Sequence, residues 1–188
     1  MKKKINVLKL TRVALSVAFI SIGAMLSFPT TPAFSLQTLC IFIVSVFLTP
    51  TEALWAGFVY ILLGIVGLPI FSNFGSGIGV ILSLSGGFII SFPLVLFIIS
   101  KMIRKFQKTT FVYAFVFGVA TLITYVFGAI WIEALNYYDG TFLQMLPACI
   151  LPFIPFDALK IFVAILCIKK LGSALGHNEE KNNSSKNG

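Results

Sequence analysis

The sequence predicts an all-α polytopic membrane protein of six transmembrane helices, and three observations carry that prediction. Charged residues make up only 11% of the 188-residue chain against 58% hydrophobic ones, with a mean hydropathy of +1.00; a soluble domain carries roughly 25% charged residues. Residues 13–51 and 53–100 contain no Asp, Glu, Lys or Arg. Each stretch is far longer than the about 20 residues a bilayer-spanning helix needs, and each is broken by a Pro- or Gly-rich loop. Finally, thirteen of the fourteen basic residues fall in three groups that six spans bring to one side of the membrane. Read in order, the spans fall at about 10–27, 34–49, 52–70, 80–100, 110–133 and 155–171.

The first span follows Lys2, Lys3, Lys4, Lys9 and Arg12 and runs through an unbroken apolar stretch. Its lysine-rich start imitates a secretory signal, but removing it would spoil the even count that gathers the basic groups on one side. Ala14 and Ala18, four apart, offer a small-residue face of the kind on which membrane helices dock. Phe28-Pro29-Thr30-Thr31-Pro32 ends this span, and Ala33-Phe34-Ser35-Leu36-Gln37-Thr38-Leu39 opens the second, placing polar Gln37 at a helix end. Gln37 has four donor or acceptor positions to satisfy, and solvation at the interface is the plain alternative to ligand contact. Glu52 beside Pro50 reads as an N-terminal helix charge on the third span.

Between the third and fourth spans lies a glycine-rich loop, Gly64-Ile65-Val66-Gly67-Leu68-Pro69-Ile70-Phe71-Ser72-Asn73-Phe74-Gly75-Ser76-Gly77-Ile78-Gly79, followed by Ser85-Gly86-Gly87-Phe88. A P-loop requires Gly-Lys-Ser/Thr, and the chain contains no Gly-Lys dipeptide. The loop is therefore either a connector or a place where backbone and Asn73 approach a ligand. Lys101, Arg104, Lys105 and Lys108 separate the fourth and fifth spans. Tyr125, Trp131 and Glu133 lie towards the far end of the fifth, where aromatic-belt anchoring accounts for Trp131 and also for Tyr125.

The sixth span carries the most informative residues, Asp157 and Lys160, set in an otherwise apolar run. At i and i+3 on a helix they share a face and can meet. A lone charge inside a membrane is very unfavourable, so such a pair marks a functional site, offering an acceptor and a donor to a small polar ligand. The competing reading makes Asp157 a helix cap and lets Lys160 snorkel outward. Lys169, Lys170, Lys181 and Lys186 follow, within or near a polar tail expected to be disordered from 177 to 188, so that one transmembrane domain covers 1–176. His177, the single histidine, lies in that tail.

By the rule that positive loops stay in the cytoplasm, both termini are expected there, and the net charge of +8 reports topology rather than nucleic-acid binding. Cys40, Cys149 and Cys167 follow no metal spacing and read as small buried hydrophobes. No embedded His, His-Glu-x-x-His site or paired carboxylate supports an enzyme, and neither a metal nor a cofactor is expected.

The ordered motifs Phe34-Ser35-Leu36-Gln37-Thr38-Leu39, Gly64-x-x-Gly67-Leu68-Pro69-x-Phe71, Ser85-Gly86-Gly87-Phe88, Tyr125-x-x-Gly128-x-x-Trp131 and Pro152-Phe153-x-Pro155-x-Asp157-x-x-Lys160 resemble the BioY family. That family is the biotin-specific substrate-binding (S) component of energy-coupling factor (ECF) transporters. The resemblance runs from the first helix to about Leu171 and implies a six-helix S-component fold in a bacterial cell membrane. It implies that biotin sits near the outer surface beneath the loop between the first two helices, with its ureido end on Asp157 and Lys160. Asn73, Gln37, Phe34 and Tyr125 complete the candidate ligand-binding set, and Ala14 and Ala18 match the family's docking face for the transmembrane coupling protein. Two ATPase subunits would complete the module. The chain departs from the family at Phe88, where Tyr is common, and at Phe156, where Gly is common. An S component for another vitamin, a structural membrane subunit without a ligand, and a membrane enzyme remain the alternatives.

Overall fold

The computed structural model describes residues 7–28, 34–136 and 151–184, with side chains as far as Gly172. Seven helices occur among them: α1 (Val7–Met25), α2 (Gln37–Phe47), α3 (Pro50–Val66), α4 (Ile78–Ile81), α5 (Gly86–Lys105), α6 (Thr110–Ala134) and α7 (Ile154–Ser184). The segments Val7–Met25, Gly86–Lys105, Thr110–Ala134 and Leu151–Gly172 are long and apolar enough to cross a membrane, while α2 and α3 are shorter apolar helices. Each of the six expected spans thus has its helix. The second begins later than expected because Phe34 and Ser35 pair with Phe28 and Ser27 in a two-residue antiparallel ribbon, β1 (Ser27–Phe28) with β2 (Phe34–Ser35). α7 continues past 171 to Ser184, and Cys149 lies outside the described residues.

Local chemistry sets the helix ends. Thr49 and Glu52 form a reciprocal capping box at the start of α3, with Pro50 at its first position, where no N–H is required. α3 stops at Gly67, whose φ of 114° is open to glycine and strained for other residues. Thr109 caps α6 by accepting from the Val112 N–H.

α2 forms the centre of the bundle, packed against α1, α3, α5 and α7. Its buried residues run from Cys40 through Ser45 without a break, so it has no lipid-facing stripe. Phe42 of α2 stacks on Phe117 of α6, with ring centroids 4.7 Å apart. α5 and α6 interlock through two glycines. The place of a Cβ on Gly87 is filled by Trp131 and the Phe127 carbonyl, and that on Gly128 by the Phe88 ring. The motifs Ser85-Gly86-Gly87-Phe88 and Tyr125-x-x-Gly128-x-x-Trp131 are therefore two halves of one helix crossing.

Alternating helix direction divides the molecule into two ends. One end collects the β1–β2 hairpin, the starts of α2, α5 and α7 and the close of α3; the other collects Lys9, Arg12, Lys101, Arg104, Lys105, Lys108, Lys169 and Lys170. At this basic end the Leu48 carbonyl accepts from Ser100 Oγ at 2.6 Å and from Arg104 Nη2 at 3.1 Å, tying the α2–α3 turn to the close of α5.

Candidate functional site

A cavity of about 390 Å³ opens among α2, α5, α6 and α7 at the hairpin end. Its size is that of a small-molecule site, and its walls have the expected chemistry: mostly apolar, with a few polar groups converging. All six residues expected to contact a ligand (Asp157, Lys160, Asn73, Gln37, Phe34 and Tyr125) line it.

The charged pair is made within the first turns of α7. Lys160 Nζ lies 2.9 Å from Asp157 Oδ1, and both residues are 7% exposed. The second carboxylate oxygen, Oδ2, accepts from the Tyr125 hydroxyl of α6. The same ammonium stands 4.3 Å from the centroid of the Phe34 ring, a cation–π contact. Phe34 in turn takes the edge of Phe156 at 4.6 Å and lies 6.1 Å from Phe153. One lysine thus joins the hairpin to α7, and one aspartate joins α6 to α7.

Lys160, Tyr125 and Gln37 do not follow the plain alternatives to ligand contact, and Asp157 follows its alternative only in part. Lys160 does not snorkel outward: it is buried, with its charge on Asp157 and Phe34. Asp157 does stand in the first turn of α7, where a negative charge suits the helix dipole, but both its oxygens have side-chain partners. Tyr125 is no belt residue, because its hydroxyl faces Asp157 inside the bundle. Gln37 is not solvated at an interface; it is buried and donates from Nε2 to the Tyr60 hydroxyl at 2.8 Å.

The glycine-rich loop works mainly by packing. Phe71, fully buried, lays its ring where a Cβ of Gly64 would stand, and Tyr60 donates its hydroxyl proton to the Ile70 carbonyl at 2.9 Å. Asn73, at a φ of 57° that asparagine tolerates, is held by a reciprocal pair of bonds. Ser27 Oγ donates to its Oδ1 at 2.9 Å, and its own N–H donates back to that hydroxyl at 2.8 Å. The hairpin is thereby latched to the loop after α3, beside the cavity that Phe34, Ser35, Ser72 and Asn73 help to line.

Three contributors were missed in the sequence: Ser27, Tyr60, and Thr38, whose Oγ1 is buried without a hydrogen-bond partner. Ser27 and Asn73 lie 46 residues apart, and nothing in either local pattern marks the partnership. Tyr60 carried a weak signal, as a polar tip within an apolar helix. The absent hydroxyl at Phe88 also has a physical setting, since the tip of that ring abuts Gly128. Ala14 and Ala18 are exposed on α1, away from the cavity.

The sequence profile of the BioY family matches residues 1–177. The chain belongs to the BioY family. It is 33% identical over 165 residues to the biotin transporter BioY of Thermotoga maritima, covering 87% of this chain and 95% of that protein. It is 32% identical over 160 residues to the biotin transporter BioY2 of Lactococcus lactis subsp. cremoris, covering 84% of each. Among solved structures it superposes on the S-component for biotin from an ECF-type ABC transporter with a TM-score of 0.79 at 23% identity, covering 92% of this chain and 95% of that one. The chain therefore has the S-component fold, and its membership of the BioY family makes it a multi-pass membrane transporter rather than an enzyme.

Proposed function

We propose that this BioY chain captures biotin and serves as the substrate-binding component of an ECF transporter. The observation that carries the reading is the buried Asp157–Lys160 pair facing a cavity of about 390 Å³. Biotin's ureido group has two N–H donors and one carbonyl acceptor. The donors suit the Asp157 carboxylate, which has lone pairs beyond those given to Tyr125 and Lys160, and the carbonyl suits Lys160 or the Asn73 amide. Charge-assisted bonds of this kind are stronger than neutral ones. The apolar walls, with Phe34 and Phe88 among them, suit the thioether ring and the hydrocarbon tail.

The rest of the cycle is supported by family membership. The chain has no Walker A sequence, so active transport needs another subunit or an ion gradient, and the proposed partners are the transmembrane coupling protein and two ATPase subunits of an ECF module. The exposed Ala14 and Ala18 are the proposed contacts for that coupling protein. The basic end is proposed to face the cytoplasm with both termini, as the positive-inside rule requires. Residues 1–176 then form the transmembrane unit, and 177–188 a cytoplasmic tail.

The test is equilibrium binding of labelled biotin to the full-length chain in detergent, with other water-soluble vitamins as competitors. Tight binding displaced by biotin alone is expected. A folded chain that binds another vitamin and not biotin would overturn the ligand, and one stabilised by no vitamin would leave only a structural subunit.

A further inference from the structure

We infer that Tyr60 is a positioning residue for ligand binding: from behind the cavity wall it turns the Gln37 side-chain amide so that the Oε1 carbonyl is presented to the ligand. The inference rests on the proposed function and adds to it a residue that does not itself line the cavity.

A phenol has one proton to donate. That of Tyr60 goes to the Ile70 carbonyl at 2.9 Å, a group that only accepts. The phenol oxygen is therefore left as an acceptor, and Gln37 must approach it with Nε2, at 2.8 Å. The two ends of an amide have nearly the same shape, so it is this proton count that fixes which way Gln37 points. Among the described residues Oε1 accepts no hydrogen bond. Nor is it sealed away, since the fully buried side-chain atoms without a partner belong to Thr38, Glu52 and Trp131. Gln37 is buried in the bundle and borders the cavity, so its carbonyl opens there.

Tyr60 is itself held firmly. Its ring is fully buried, edge-on to Phe71 at 5.5 Å and tilted to Phe92 at 6.3 Å. Phe71 fills the place of a Cβ on Gly64, which anchors the neighbouring Ile70 carbonyl. A free glutamine has several rotamers and loses entropy on being held in one of them. Tyr60 imposes that order before a ligand arrives, so a ligand N–H or O–H, or a water it carries, meets an acceptor already aimed. Without the phenol oxygen the amide turns either way, and its NH2 group opposes such a donor.

The experiment is a double-mutant cycle on the full-length chain in detergent, with labelled biotin as the probe. Tyr60→Phe keeps the ring and removes the oxygen; biotin affinity is expected to fall about three- to tenfold, and Gln37→Met to cost at least as much. In the Gln37→Met background, Tyr60→Phe is expected to change affinity by less than about twofold. An equal loss in both backgrounds would show that Tyr60 acts through Ile70 and the loop after α3, and would overturn the inference. So would unchanged affinity in either single variant. A second measurement needs no folded Tyr60→Phe. In the unsubstituted chain made with isotope-labelled glutamine, saturating biotin is expected to move the side-chain carbonyl resonance that is lost in Gln37→Met. An unmoved resonance beside normal biotin binding would overturn the inference and leave the proposed function intact. Failure of biotin to bind the unsubstituted chain would remove that function, and the inference with it.

Discussion

The two ends of the bundle use charge in opposite ways. At the basic end, charged and polar groups finish the backbone: Arg104 and Ser100 donate to the Leu48 carbonyl, and Glu52 accepts from the Thr49 N–H. At the hairpin end, charged groups finish each other, with Asp157, Lys160 and Tyr125 forming a cluster that faces open volume. The basic end has charge in number and a structural use for it; among the described residues the hairpin end has one buried pair with space beside it, and Glu133 exposed at the close of α6. What distinguishes a binding charge from a structural one in this molecule is the cavity it faces rather than its burial, since Glu52 is as deeply buried as Asp157.

Breaking the hairpin-end pair should have the largest effect. Lys160→Ala leaves a buried carboxylate without its cation, and a loss of roughly 3–5 kcal/mol in stability is expected, read as thermal unfolding in detergent. A loss below about 1 kcal/mol, the range of surface pairs, would mean the two charges act independently. Asp157→Asn keeps the shape but removes the charge. Biotin affinity should fall by roughly 1.5–3 kcal/mol, about 10- to 150-fold, and unchanged affinity in a folded variant would take Asp157 out of the site.

The basic end supplies the contrast. Arg104→Gln should cost about 1 kcal/mol of stability and leave biotin affinity unchanged within about twofold. An affinity loss as large as that of Asp157→Asn would erase the distinction between the ends. The smallest effect belongs to the latch: Ser27→Ala frees Asn73 and should speed biotin release by up to about tenfold with little change in melting temperature. Release rates equal to those of the unsubstituted chain would show that the hairpin is held by Phe34, Phe153 and Phe156 alone.

Much of this was legible in the chain. Long uncharged runs located the helices, because lipid tolerates few charges, and the same scarcity made Asp157 and Lys160 stand out. Spacing at i and i+3 correctly predicted that they meet. The direction of Lys160 was not legible, since snorkelling and burial use the same flexible stem and the choice depends on where Phe34 lies. Tyr125 and Trp131 share a helix and a motif, yet one faces Asp157 and the other fills the space over Gly87. A belt rule based on depth does not separate them. The Ser27–Asn73 latch and the Gln37–Tyr60 bond join residues far apart in sequence, brought together only by tertiary packing.

α2 has a consequence for how the protein is made. Its 11 residues span about 16 Å, roughly half of a hydrocarbon core of about 30 Å, and its Gln37 finds Tyr60 only when α3 is beside it. A segment so short and so polar at one tip gains little from lipid alone during translation. It should enter the bilayer together with α3 as a single helical hairpin, closed by the Thr49–Glu52 cap. The order of events at the translocon then follows from the two residues, Leu48 and Thr49, that separate these helices.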